Sequence, residues 1–269
     1  MRIIKAAATI GATAAMFIGI AGASSAAPSD FTKPLQSDAV ADAKKDRGRD
    51  AGIQSTDGHS FLEVNNAGQL VRWTRADQTF GNQVRGWGWE NTRQITSLDA
   101  DTFVEIKGDN RLSKWTWNGG AYVEAAVGTG WNNAKVITGI APNRFLEINL
   151  SGELVLWQFE ANNGLTRWVI GNGWHNTRTI AGKDDIDFLE IKANGKLSEW
   201  YDFLDGGANL KENAFAQSDF TQARLIVGTD FDHFLVIANN GDLVEFSAIN
   251  NEYVPAKRGQ GWTGTRLIG

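Results

Sequence analysis

Four tryptophans close a Gly-x-Gly-Trp phrase: Gly86-Trp87-Gly88-Trp89, Gly128-Thr129-Gly130-Trp131, Gly171-Asn172-Gly173-Trp174 and Gly259-Gln260-Gly261-Trp262. Glycine lets backbone N–H groups come close to a ligand, and an indole can stack on the apolar face of a pyranose. The residues that follow offer donors and acceptors for hydroxyl and acetamido groups. The candidate ligand-binding set is therefore Gly88, Trp89 and Asn91; Gly130, Trp131, Asn132 and Asn133; Gly173, Trp174, His175 and Asn176; and Gly261 and Trp262. A recurring tryptophan has a second reading, as a wedge between repeated modules that buries ~150 to 250 Å². The sequence leaves open whether these indoles are wedges alone or wedges that also touch ligand.

A second series resembles a ring of catalytic carboxylates. Glu105, Glu147 and Glu190 each follow a basic residue by twelve positions: Arg93, Lys135 and Arg178. Glu63 has Ala51 at that offset, so Arg266 from the end of the chain is expected to serve it, and Val236 breaks the series after Arg224. A glycosidase needs two carboxylates in different environments facing one sugar. Glutamates that repeat by unit with a basic partner at a fixed offset read instead as structural ion pairs. His59, His175 and His233 have no metal-ligand spacing, and no serine sits in a nucleophile motif. The expectation is a protein without catalysis, metal or cofactor.

These residues are carried by a repeat. Phe61, Phe103, Phe145, Phe188 and Phe234 begin Phe-Leu-Glu-Ile-like segments, and twelve residues after each stands Trp73, Trp115, Trp157, Trp200 or Phe246. Eight residues before each stands Ile53, Ile95, Ile137, Ile180 or Ile226, with Ile268 closing the series at spacings of 42, 42, 43, 46 and 42. That period is the length of a four-stranded propeller blade. The predicted fold is all-β: a five-bladed β-propeller of four-stranded blades over residues 51–269, with units 53–94, 95–136, 137–179, 180–225 and 226–267. Within each unit, Thr-Arg-x-Ile reads as the first strand and Phe-Leu-Glu-Ile as a second strand covered on both faces. A turn such as Asn194-Gly195 or Asn240-Gly241 leads to the aromatic third strand, and the fourth ends at Gly-x-Gly-Trp. The C-terminal Thr265 to Ile268 is expected to enter the first blade as its inner strand, leaving no open edge.

The chain has 269 residues, no cysteine, 30 glycines and a formal charge of -5. That balance, with no basic run bearing interleaved aromatics, argues against nucleic acid as a partner. Arg2 and Lys5, the apolar run Ala6 to Gly22 and the small residues Ser24-Ser25-Ala26 read as a signal peptide, 1–26, cleaved after Ala26. The run is short for a ~20-residue span. A secreted protein with no membrane span after cleavage is the expectation. Residues 27–50 are polar and mixed in charge and read as a disordered linker, with docking on a partner through Phe31 and Leu35 as the alternative.

The Gly-x-Gly-Trp-Asn phrase, the Phe-rich strand, Asn-Gly and the aromatic third strand together resemble the tachylectin family of five-bladed propeller lectins. They are also similar to bacterial FG-GAP or VCBS-type repeats, through the phrases at 128–132 and 195–197. The likeness covers residues 51–269. The first resemblance implies multivalent binding of glycans of the N-acetylglucosamine or N-acetylgalactosamine type, one site per blade. The second implies calcium loops, but Asp99 to Asp101, Lys183 to Asp187 and Asp230 to Asp232 lack the glycine-bearing loop that wraps a cation. Similar modules also occur as subunits of secreted bacterial particles, so a secreted protein partner is the other expectation.

Overall fold

The computed structural model describes residues 31–36, 60–203 and 206–269. Its strands form five antiparallel sheets. The first blade contains β2 (Ser60–Asn65), β3 (Gln69–Ala76) and β4 (Thr79–Trp87), with β21 (Thr265–Ile268) on the inner side of β2. The second runs β5 (Thr92–Ser97), β6 (Thr102–Lys107), β7 (Leu112–Trp117) and β8 (Tyr122–Gly128). The third runs β9 (Ala134–Ala141), β10 (Arg144–Asn149), β11 (Glu153–Phe159) and β12 (Leu165–Asn172). In the fourth are β13 (Thr177–Gly182), β14 (Asp187–Lys192), β15 (Leu197–Tyr201) and β16 (Lys211–Phe215), and in the fifth β17 (Ala223–Asp230), β18 (His233–Ala238), β19 (Leu243–Ile249) and β20 (Glu252–Gly259). The inner strands of the blades touch one another in the order β21, β5, β9, β13, β17 and back to β21. The protein is a closed five-bladed β-propeller.

The repeat period appears as register. Each isoleucine of the series lies opposite the central residue of the Phe-Leu-Glu-Ile strand: Ile95 with Glu105, Ile137 with Glu147, Ile180 with Glu190, Ile226 with Val236 and Ile268 with Glu63. Ile268 thus does in the first blade what the other isoleucines do in theirs, and Ile53 lies outside the described residues. Closure extends to the last residue, where Leu62 and Gly269 exchange backbone hydrogen bonds of 2.8 and 3.0 Å. Ser97 Oγ, on the second blade, donates to the Gly269 carbonyl at 2.8 Å.

Burial is divided among five seams. Along each second strand, residues two apart share a face. The Leu62 and Val64 face of the first blade packs on Ile95, Phe103 and Trp115 of the second, and the same arrangement recurs between every successive pair. Because both faces of each blade are covered by a neighbour, the strand reads as a nearly unbroken apolar run. One further aromatic, Phe80, Tyr122, Phe159, Phe203 or Tyr253, packs on each strand phenylalanine.

The ring is drawn tight by glycine. A Cβ built on Gly139 would lie 1.8 Å from the Ser97 carbonyl oxygen, on Gly182 1.8 Å from that of Gly139, and on Gly228 1.9 Å from that of Gly182. Inner strands of neighbouring blades therefore approach backbone to backbone. The Thr96 and Thr138 hydroxyls accept from the Gly139 and Gly182 N–H groups at 2.6 Å. The acidic segments noted above are turns joining first and second strands: Asp99 Oδ1 accepts from the Asp101 amide, Asp184 Oδ1 from those of Ile186 and Asp187, and Asp230 Oδ1 from that of Asp232.

Residues 1–30, which hold the expected export signal, lie outside the described part, as do 37–59. Within the expected linker, however, residues 31–36 depart from a disordered spacer. Phe31 is buried, and β1 (Leu35–Gln36) pairs antiparallel with β20, giving the fifth blade a fifth strand. The two apolar side chains of an otherwise polar stretch have found an apolar surface of their own chain.

Candidate functional site

The four Gly-x-Gly-Trp phrases lie at the blade end that carries the turns between second and third strands. The Trp89 amide donates to the Gly68 carbonyl in the turn of its own blade, at 3.1 Å, and the Asn91 carbonyl accepts from the Gly108 amide in the turn of the next, at 2.6 Å. The same stitch holds Trp131, Trp174 and Trp262. The two glycines have different duties. Gly88, Gly130, Gly173 and Gly261 sit at φ of 87–93° with open space where a Cβ would be, so they are fixed by backbone conformation. The preceding Gly171 and Gly259 would place a Cβ 2.8 and 3.0 Å from the Nε1 of Trp174 and Trp262, so they make room for the indole.

The tryptophans themselves are wedges: Trp89, Trp131, Trp174 and Trp262 are 4%, 8%, 6% and 9% exposed. Each packs on the phenylalanine and third-strand tryptophan of the following blade, as Trp89 does on Phe103 and Trp115 at centroid distances of 5.4 and 4.8 Å. They also line grooves. One of about 700 Å³ opens over the seam of the first and second blades, with Trp87, Gly88, Trp89, Asn91 and Trp115 in its wall. Another of about 860 Å³ opens over the seam of the fifth and first, with Trp73, Gly261 and Trp262 in its wall. Asn132, Asn133, His175 and Asn176 are exposed at the equivalent turns.

At the floor of the grooves lies a set that spacing alone misassigned. Glu105 Oε1 accepts from the Thr92 hydroxyl at 2.6 Å and its Oε2 from Trp115 Nε1 at 2.9 Å. Glu63 takes Thr265 and Trp73 at 2.6 and 2.7 Å, and Glu190 takes Thr177 and Trp200. Glu147 takes Trp157 at 2.7 Å but faces Ala134 where the others have threonine. In the fifth blade all three positions are apolar together: Ala223, Val236 and Phe246.

The expected ion pairs do not form. Among the described residues, none of these glutamates is bridged to its unit's basic residue. Arg93 donates to the carbonyls of Ala134, at 2.9 Å, and Trp131, reaching forward to the turn of the next seam. Arg178, Arg224 and Arg266 reach forward in the same way to the turns at Phe220, Trp262 and Trp89, and Lys135 Nζ donates to the His175 carbonyl at 2.8 Å. The physical reason is geometric. Each of these turn carbonyls accepts one amide, as Trp131 does from Ala134 and Trp89 from Thr92, and keeps a second lone pair, so a guanidinium fork can serve it together with a neighbouring carbonyl. Arg266 therefore serves Trp89 and Thr92, while Glu63 is held by Thr265 and Trp73.

Burial governs the titration of two of these carboxylates. Burial raises Glu105 against the opposing bonds from Thr92 and Trp115, and burial raises Glu147 against its bond from Trp157. Each groove thus offers a carboxylate held in one orientation by neutral donors, flanked by two indoles and a glycine turn. Such a surface can accept hydrogen bonds from hydroxyl or amide groups while its aromatic rings take an apolar face.

The grooves differ at their rims. Trp87, at the variable position of the phrase, is 52% exposed. Beside it Lys107 Nζ lies 5.2 Å from the Trp115 ring centre and pairs with Glu124, itself held by Ser113. Burial opposes ionisation of Glu124, but Lys107 and Ser113 outweigh it and lower its pKa.

No known sequence family matches the chain, and no curated protein matches it in sequence. Among solved structures it is similar to the WD40 β-propeller domain of Doa1, at 12% identity, TM-score 0.41, covering 85% of this chain and 72% of that one. A functionally unknown protein from Desulfotomaculum acetoxidans DSM 771 is similar at 14% identity, TM-score 0.43, with 76% and 67% covered. Prp20p from Saccharomyces cerevisiae is similar at 11% identity, TM-score 0.38, with 73% and 60% covered.

Proposed function

We propose that this protein is a secreted, non-catalytic, tachylectin-like lectin that recognises N-acetylated amino sugars through its seam grooves. The observation that supports this most directly is the recurrence of one unit in four blades, a glutamate clamped by a third-strand indole Nε1 and, in three of them, a threonine hydroxyl, with the copies at Glu63 and Glu105 lying in open grooves walled by tryptophan. A carboxylate that already accepts two bonds is oriented for recognition of hydroxyl and amide groups rather than poised to lose or gain a proton. Single sites of this kind bind at ~1 mM to ~1 μM, or ~4 to ~8 kcal/mol. Repetition around the ring converts weak sites into avidity on a surface carrying many copies of the sugar.

The test is retention on immobilised chitin oligomers and elution by free N-acetylglucosamine. Trp87→Ala, which removes a half-exposed indole from the rim without touching a seam, should weaken binding at that groove by about tenfold, roughly 1.4 kcal/mol, and leave the melting temperature unchanged. A blank result on a broad glycan array removes the proposal and turns attention to a protein partner.

A further inference from the structure

The seam between the fourth and fifth blades has kept the geometry of the others and changed its chemistry. Phe220 replaces the wedge tryptophan and still donates its amide to the turn, at 2.7 Å from the Gly195 carbonyl. Phe246 replaces the third-strand tryptophan, Val236 the glutamate and Ala223 the threonine. These three residues supply no counterpart of the carboxylate that the other seams hold. The space is taken by the chain's own N-terminal segment: the Phe31 ring lies 5.1 Å from Phe220 and 6.1 Å from Phe246, and is 6% exposed. Four residues on, Leu35 pairs with Tyr253 and Gln36 with Glu252 along the outer edge of β20. A groove of about 450 Å³ remains between Lys33 and Pro34 on one side and residues 213–220 on the other.

We propose that this fifth groove is a peptide socket, whose ligand is a short segment that turns after an aromatic residue and pairs as a strand at an aliphatic one four positions later, filled in cis by residues 31–36. Two contacts define the recognition. The phenyl ring enters the apolar floor where other seams hold a carboxylate. The backbone after it adds a strand to an exposed sheet edge, a mode in which main-chain bonds hold the peptide and a side-chain pocket selects it. Pro34 has no N–H to give, which ends the pairing on the side before Leu35. The socket therefore depends mainly on its phenyl pocket and should exchange ligand once the resident is weakened. One consequence rests on the glycan reading: at most four of the five seams can bind sugar.

The test uses the full chain and no sugar, so it stands whichever way glycan binding falls. A labelled peptide spanning residues 30–37 should bind saturably to the Phe31→Ala/Leu35→Ala variant, measured by fluorescence anisotropy. Binding to the wild type, whose socket is occupied, should be at least about tenfold weaker, as expected when a resident segment competes at high effective concentration. A peptide with alanine for phenylalanine should not bind either. Absence of binding to a folded variant, or equal binding to variant and wild type, overturns the proposal. Should the variant fail to fold, hydrogen exchange on the wild type decides: protection of the Leu35 amide is expected, and exchange at the rate of an unstructured peptide overturns the cis assignment.

Discussion

The fifth seam suggests an experiment on the second. Thr92, Glu105 and Trp115 form a buried set, with exposures of 3%, 4% and 5%. The single change Glu105→Val leaves the Thr92 hydroxyl and the Trp115 Nε1 without the acceptor they now share. Each stranded buried donor costs about 1 to 3 kcal/mol, although a hydroxyl can turn to seek another partner. Removing a desolvated carboxylate and adding apolar surface returns part of that. The net expectation is a loss of about 2 to 4 kcal/mol, or roughly 4 to 16 °C in melting temperature for a domain of this size. The triple change Thr92→Ala/Glu105→Val/Trp115→Phe instead removes donors and acceptor together and reproduces the natural fifth-blade combination. Replacing both partners of a buried polar contact can be nearly neutral, so the triple variant should lose less than Glu105→Val alone, within about 2 kcal/mol of wild type. The remaining deficit reflects the space left by the smaller ring, which Phe31 occupies in the fifth seam. Urea denaturation of the three singles and the triple measures the coupling. If the triple loses the sum of its singles, the three residues do not act as a unit and the account of the grooves fails.

Two glycine substitutions separate conformation from proximity. Gly88→Ala meets open space but must hold φ near 93°, and should cost about 1 to 2 kcal/mol. Gly182→Ala would drive a methyl to 1.8 Å from the Gly139 carbonyl oxygen, with Ile140 Cγ2 at 3.0 Å beside it, and should cost more than about 3 kcal/mol or prevent ring closure; equal melting temperatures for the pair would contradict the tight inner ring. The Glu147 carboxyl gives a pH test. Burial raises its folded pKa above the ordinary value, so its contribution to stability is fully present below about pH 4.5 and is lost as pH rises through the folded value. Glu147→Gln keeps an acceptor for Trp157 Nε1 and cannot ionise. It should therefore be more stable than wild type at pH 7.5, with the difference shrinking as pH falls toward 4.5; a difference that stays constant or grows on acidification refutes the assignment. Deleting residues 263–269 removes β21 and the Gly269 contacts to Leu62 and Ser97, and should lower the melting temperature sharply.

Architecture was legible because the features that set it are sequential. A period of 42 to 46 residues, an isoleucine opposite each glutamate and a turn glycine are all read along one strand or hairpin. Closure by β21 followed from counting isoleucines. Features set by contact between blades were not legible in the same way. Gly139, Gly182 and Gly228 stand two residues after their isoleucines, yet nothing within a blade explains them; the reason is a carbonyl on the neighbour. The aromatic that covers each strand phenylalanine comes from the fourth strand in three blades and from the third strand or the segment after it in two, so it has no fixed offset to find. The 27–50 stretch was judged by average polarity, but six residues with two apolar side chains suffice when an apolar seam lies open.

The ion pairs expected from the twelve-residue offset show how a true periodicity can yield a false contact. Arginine and glutamate recur together because each serves a seam, but they serve different seams: Glu105 the one before its blade and Arg93 the one after. The signal that identifies the real partners was present in the differences between units. Glutamate and tryptophan vanish together at Val236 and Phe246, whereas threonine is replaced both there, by Ala223, and at Ala134 where the other two are kept; Arg224 persists in the fifth unit and still holds the turn at Trp262. Residues lost together depend on one another, and a residue kept when its supposed partner is gone does not. A ring in which each seam is made by two neighbouring blades permits such a local change of chemistry, since the other four seams neither contact nor need the altered set. The same independence is what lets one groove accept a phenyl ring while its neighbours keep a clamped carboxylate under tryptophan.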